Sequence, residues 1–176
     1  MRCFLIVLLL MMPALPLSAQ EQPPAFPVAE LQDYMPVLAR TVQLLGEGEV
    51  ERSLDNLMPV GSPALRTAEE AGRFREIWMK ALAPVGRIKL EFESWDVVAL
   101  SRVSTQAWMI YGVANGKRGP MHIDFRIFRY RGRWHIEGFT FAMNWNREQP
   151  IPADVKKLEL PVSYPFGQQA IAAAAR

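Results

Sequence analysis

Residues 119–143 read GPMHIDFRIFRYRGRWHIEGFTFAM. From Met121 to Ile127, apolar and polar side chains alternate one for one, the period of a half-buried strand. Arg131-Gly132 interrupts the pattern, and Trp134 and Ile136 resume it. Two alternating runs joined by a two-residue, glycine-containing turn predict an antiparallel hairpin, with strands at about 119–130 and 133–143. The second run changes phase at Gly138, because Phe139 and Phe141 take the opposite parity from Trp134 and Ile136. A one-residue slip moves every later side chain to the other face, so a phase change within a strand predicts an inserted residue, a bulge.

The same period extends upstream. Ile88, Leu90 and Phe92 alternate, and Trp95, Val97 and Ala99 continue out of phase, predicting a second bulge near Ser94. A further strand spans about 104–114, and Asn115-Gly116 is the predicted hairpin turn after it, since both residues tolerate positive φ. That turn places Ile110 opposite Met121, Trp108 opposite Ile123 and Gln106 opposite Phe125. The Arg131-Gly132 turn places Phe128 opposite His135, Arg126 opposite Glu137, Ile127 opposite Trp134 and Phe125 opposite Ile136. One face then carries Trp108, Ile110, Ile123, Phe125, Ile127, Trp134 and Ile136, the predicted core. The other carries Met109, Tyr111, His122, Asp124, Arg126, Phe128, His135 and Glu137, with Asp96 on the same side.

Before the strands the period is helical. Leu31, Met35, Leu38, Val42 and Leu45 form one stripe, in which Pro36 either opens the helix or kinks it. Gly46 and Gly48 end this helix, and a short second one turns Val50, Leu54 and Leu57 inward. Thr67 and Glu70 have the spacing of a capping box and open a third helix with the stripe Phe74, Ile77, Trp78, Ala81 and Leu82, ended by Pro84 and Gly86. The expected class is α+β: three N-terminal helices packed on a bent four-stranded antiparallel sheet, forming a half-open cone.

The ends of the chain are of other kinds. Arg2, the apolar run 3–12 and the small residues before Gln20 read as a signal peptide over 1–19. The run is about half the length of a spanning helix, so the expectation is soluble export, to a bacterial periplasm, with no stable membrane anchor after cleavage. Residues 20–27 are a Pro-rich flexible lead-in, 28–145 the folded domain and 146–176 a Pro-rich and Ala-rich tail. Within the tail, LELPV at 158–162 has the pattern of a short edge strand.

Cleavage removes Cys3, the only cysteine, so the mature chain has no thiol chemistry and rests on its core alone. Losing the first 19 of 176 residues leaves 157, enough for one core. The net charge falls from +2 to +1 with Arg2 and gives no case for nucleic acid or acidic lipid. His122 and His135 lie far apart along the predicted hairpin and cannot share a metal. Glu91 and Glu93 alternate with apolar residues and are predicted to be wet, which leaves their pKa unfit for acid–base work at neutral pH. Glu69 and Glu70 form another carboxylate pair without catalytic assignment. No catalytic, cofactor-binding or metal-binding residue is assigned.

The helix ending FREIWMKALAPVG, the strand with a central slip and the hairpin FRIFRYRGRWHIEGFTFAMN resemble the nuclear transport factor 2-like superfamily, also called SnoaL-like or cystatin-like. The resemblance runs from about Leu31 to Met143. It implies the cone-shaped fold and no single activity, because that fold hosts isomerases, dehydratases, cyclases and binding modules. Its enzymes, such as ketosteroid isomerase, place an aspartate base and a tyrosine or acid donor inside the cone. Here the register puts Asp124, His122, His135 and Glu137 outside it.

The expected function is therefore an exported non-catalytic module. It would hold an apolar small molecule in the cone, against Trp78, Trp95, Trp108, Phe125 and Phe139, or a protein partner on the outer sheet face. Met109, Tyr111 and Phe128 on that face predict a homodimer through the sheet. A small cofactor-free isomerase, dehydratase or hydrolase of the SnoaL-like kind is the first alternative, and a structural component of an envelope assembly the second.

Overall fold

The computed structural model describes residues 28–61, 67–142 and 155–166. The signal peptide and lead-in expected at 1–27, the last residues of the expected domain, 143–145, and the tail segments 146–154 and 167–176 lie outside these residues. Three helices precede five strands: α1 (Met35–Gly46), α2 (Val50–Leu57), α3 (Ala68–Arg87), β1 (Phe92–Ser104), β2 (Ala107–Gly116), β3 (Met121–Tyr130), β4 (Arg133–Ala142) and β5 (Lys156–Pro165). The strands form one open antiparallel sheet in the order β4-β3-β2-β1-β5.

The fifth strand corrects the four-stranded expectation. β5 lies in the stretch assigned to the tail and adds to the free edge of β1 in two pieces, 162–165 against Ser94–Val97 and 156–157 against Ala99 and Leu100. Of the LELPV segment only Val162 is in this register. Pro161 falls in the part that leaves the ladder, and an edge strand tolerates the missing N–H of proline.

The helices follow their stripes, with two corrections in α3. Leu31, Met35, Leu38, Val42 and Leu45 are buried, and Pro36 occupies the first turn of α1, where its missing N–H has no partner to lose. The capping box is formed, with the Glu70 amide donating to Thr67 Oγ1 at 3.1 Å and the Thr67 amide to Glu70 Oε2 at 3.2 Å. α3 nevertheless passes through Pro84 and ends at Arg87. The proline ring falls in the last turn, where only a few bonds follow it. The stripe of α3 runs through Phe74, Trp78, Leu82 and Val85, whereas Ile77 is 59% exposed and Ala81 is also exposed.

The entry into the sheet shows why β1 begins at Phe92 and not at Ile88. The carbonyl of Gly46, left unpaired at the end of α1, accepts N–H groups from Leu90 at 3.0 Å and Glu91 at 2.9 Å. Glu91 takes a φ of 49° to make this hook, which is incompatible with a strand. The Phe92 ring then lies on Gly46, where a Cβ would be 2.6 Å from it.

The register differs from expectation by four residues between β2 and β3: Ile110 faces Phe125, and Trp108 faces Ile127. Asn115 and Gly116 belong to β2, and the turn is made by 117–120, with Gly119 at a φ of 103°. A shift of four is even, so each side chain keeps its predicted face. Arg131-Gly132 is a turn as predicted, both residues having positive φ, and Phe128 faces His135. The β4 bulge falls at Glu137, so Arg126 faces Gly138, Ile127 faces Ile136 and Phe125 faces Phe139. β1 carries three register shifts, the first between Phe92 and Ser94. The inner sheet face and the helix stripes meet in one core, in which each buried Leu, Ile or Phe contributes about 1.5–3 kcal/mol.

Candidate functional site

The middle of the sheet holds an irregularity the sequence does not announce. The β2–β3 ladder is registered at Ile110–Phe125 and again at Val113–His122, and between them two backbone groups bond to side chains. The Gly112 amide donates to Asp124 Oδ1 at 3.1 Å, and the Ile123 carbonyl accepts the indole N–H of Trp95 at 3.2 Å. Trp95 is fully buried, and its indole occupies the space that a side chain at position 112 would need: a Cβ there would lie 2.0 Å from Trp95 Nε1. Only glycine admits the indole. Each polar group displaced from the ladder thus finds a side-chain partner, as buried backbone groups must.

Asp124 sits on the outer face, as predicted, but it is only 7% exposed. Burial raises its carboxyl pKa, opposed by the Gly112 N–H and the nearby His122. Its outward placement does not leave it wet: Tyr111 and His122 flank it in the strands and Thr140 lies opposite it on β4. Asp96 is also on this face. Its two oxygens accept from Ser163 at 2.6 Å and Asn115 at 2.6 Å, which ties β5, β1 and β2 together. Around these groups lie Met109, Tyr111, Val113 and Phe128, all half-buried, among the small Ala99, Ser101, Ala107 and Gly138. Arg126 and Glu137 form the predicted pair at 3.7 Å, both exposed.

No family model, curated protein or solved structure matches the chain.

The five aromatic residues expected to line a cone divide into a connected four and a separate one. Trp78 stacks on Phe139 at 4.3 Å, Phe139 is 5.8 Å from Phe125, and Phe125 meets Trp95 edge-on at 5.4 Å. Trp108 stands apart, with the Arg102 guanidinium 5.7 Å above it. Its indole nitrogen and the Tyr164 hydroxyl are buried without a hydrogen-bond partner among the described residues. Burial pushes the Tyr164 hydroxyl pKa up to about 12. Tyr164 lies across from Trp95 on β5, in the stretch read as tail, and no periodicity there points to it.

The remaining titratable groups are placed singly. Glu91 is paired with Lys117 at 2.6 Å, which lowers its pKa, and Glu93 and Glu69 are exposed. His135 Nδ1 lies 2.9 Å from the Gly61 carbonyl and binds the β4 edge to the end of the turn after α2. The described residues contain no group of three potential metal ligands and no helix long and apolar enough to cross a membrane. A shallow open groove of about 300 Å³ lies between α2 and α3, floored by Val50, Met79 and Ala83.

Proposed function

We propose that this chain is an exported, non-catalytic module of the nuclear transport factor 2-like kind that works by docking through the outer face of its sheet, first of all with a second copy of itself. The observation that carries the reading is the composition of that face. Met109, Tyr111, Val113 and Phe128 stand on the side opposite the helices, between residues short enough for another sheet to approach to about 10 Å. Asp124 is already buried and accepts from the Gly112 amide, so docking need take little further carboxylate surface out of water. Arg126 and Glu137 already satisfy each other at the rim.

Light scattering on residues 20–176 tests the reading. The wild-type chain is expected to be a dimer and Phe128→Asp a folded monomer, because the new carboxylate would be buried without a partner. A wild-type monomer at all accessible concentrations contradicts it.

One observation favours a second reading, an apolar small molecule held between α3 and the sheet in a half-open cone. The stacked Trp78–Phe139 pair is only partly covered at Trp78, which gives a flat aromatic surface at the opening. Quenching of tryptophan fluorescence by an apolar probe, lost in Trp78→Ala, supports that reading, and quenching unchanged in Trp78→Ala removes it.

A further inference from the structure

The net charge of +2 gives no reason to expect an anionic partner, but the fold redistributes the charge. The β1–β2 and β3–β4 turns lie at the same end of the sheet. Ala107 pairs with Phe128 there, and the Arg129 amide donates to the Gln106 carbonyl at 2.6 Å. Arg102, from the first hairpin, therefore joins Arg129, Arg131 and Arg133 from the second. All four are exposed, and none makes an ion pair with a described residue. Glu137 is taken by Arg126. Glu30 and Asp33 approach this end through Tyr34, whose hydroxyl accepts from the Trp134 amide at 3.2 Å, but they pair with none of the four. Three of the guanidiniums are held over rings: Arg102 on Trp108 at 5.7 Å, Arg129 on Trp134 at 6.0 Å and Arg131 on Tyr130 at 5.3 Å. Stacking fixes the plane of a guanidinium while leaving N–H donors for a phosphate.

A second observation selects the kind of anion. The large apolar side chains exposed among the described residues are Ile77, Val103 and Tyr130, and two of them stand at this end, Val103 at 66% and Tyr130 at 39%. Val103 lies at the β1 bulge between Arg102 and Ser104, and Tyr130 is the last residue of β3. A soluble polyanion would use the arginines and leave Val103 in water. A bilayer interface accepts all of them, with tyrosine at headgroup depth.

We propose that this end of the sheet docks peripherally on an anionic phospholipid bilayer. The four arginines meet lipid phosphates while Val103 and Tyr130 enter the interface. Each arginine near such a surface strengthens binding by about fivefold.

The test is co-sedimentation of residues 20–176 with vesicles of phosphatidylcholine alone or mixed with phosphatidylglycerol. Binding is expected only to the mixed vesicles, and it should fade as salt shortens the range of the charges. Arg131→Asn with Arg133→Gln should weaken it about 25-fold. Asparagine suits the turn, because position 131 has a φ of 48° and Gly132 follows at 78°. Arg102→Gln with Arg129→Gln, outside the turn, should act alike. Val103→Ser with Tyr130→Ser should weaken vesicle binding by much more than it weakens binding of soluble polyphosphate, which loses only the ring beneath Arg131. Equal binding to neutral vesicles, no binding to anionic ones at low salt, or vesicle binding unaffected by the serine pair would each overturn the proposal.

Discussion

Gly112→Ala is the substitution with the largest predicted effect, and its size can be worked from the contact it would make. The backbone at Gly112 has no positive φ, so alanine fits the main chain and would by itself add about 0.4–1 kcal/mol of stability through the unfolded state. The packing decides otherwise. The new Cβ would lie 2.0 Å from Trp95 Nε1, 2.4 Å from Cε2 and 2.8 Å from Cζ2, where ordinary contacts are about 3.5–4 Å. The indole must withdraw by more than an ångström, yet it is fully buried against Phe125 and Tyr164. Overpacking costs about 1–3 kcal/mol. Pulling the indole N–H from the Ile123 carbonyl leaves a buried acceptor unsatisfied, at about 1–3 kcal/mol more. The net loss is about 3 kcal/mol, a large part of the stability of a domain this size. Urea unfolding of residues 20–176, followed by tryptophan fluorescence, should show the midpoint falling by more than 1 M. In a Trp95→Phe background the alanine should cost much less, since phenylalanine lacks the edge that meets position 112. A Gly112→Ala chain within 1 kcal/mol of wild type would refute the interlock.

Asp124 supplies a pH prediction. Its folded-state pKa is raised, so the folded chain binds a proton to higher pH than the unfolded chain, and stability falls as pH climbs from the ordinary carboxyl value through the raised one. Asp124→Asn keeps an acceptor for Gly112 and should flatten that part of the profile without lowering the midpoint at pH 7. Asp124→Leu should cost about 1–3 kcal/mol, because it leaves the amide unpaired; equal losses for both variants would contradict this account. Mass spectrometry of the exported protein should find Gln20 as its first residue, and an intact Met1 would contradict cleavage.

Much of the fold was legible because the strands and α1 speak through one period each. The two faces of the sheet are the same in both registers, since moving the turn from Asn115-Gly116 to Lys117–Pro120, where Gly119 takes the positive φ, shifts the β2–β3 pairing by an even number. The helix α3 was less legible: Ile77 and Phe74 both fit a helical stripe, and only the position of the sheet decides which one is buried. β5 was hidden by its prolines, which the edge of β1 tolerates. The burial of Asp124 had no signal at all, because it depends on a ladder opened by Trp95 and Gly112, residues distant in sequence whose fit is three-dimensional. The gathering of Arg102 with Arg129, Arg131 and Arg133 was invisible for the same reason, being set by which turns share an end of the sheet.

The proposed sheet-face dimer can be probed without a background, because residues 20–176 carry no cysteine. A single cysteine placed at Met109 lies on the outer face, and one placed at Ile77 lies exposed on α3. Under mild oxidation of residues 20–176 the Met109→Cys chain should form an intermolecular disulfide at low protein concentration, while Ile77→Cys stays without a cross-link. Cross-linking of Ile77→Cys that matches or exceeds that of Met109→Cys would contradict docking through the sheet.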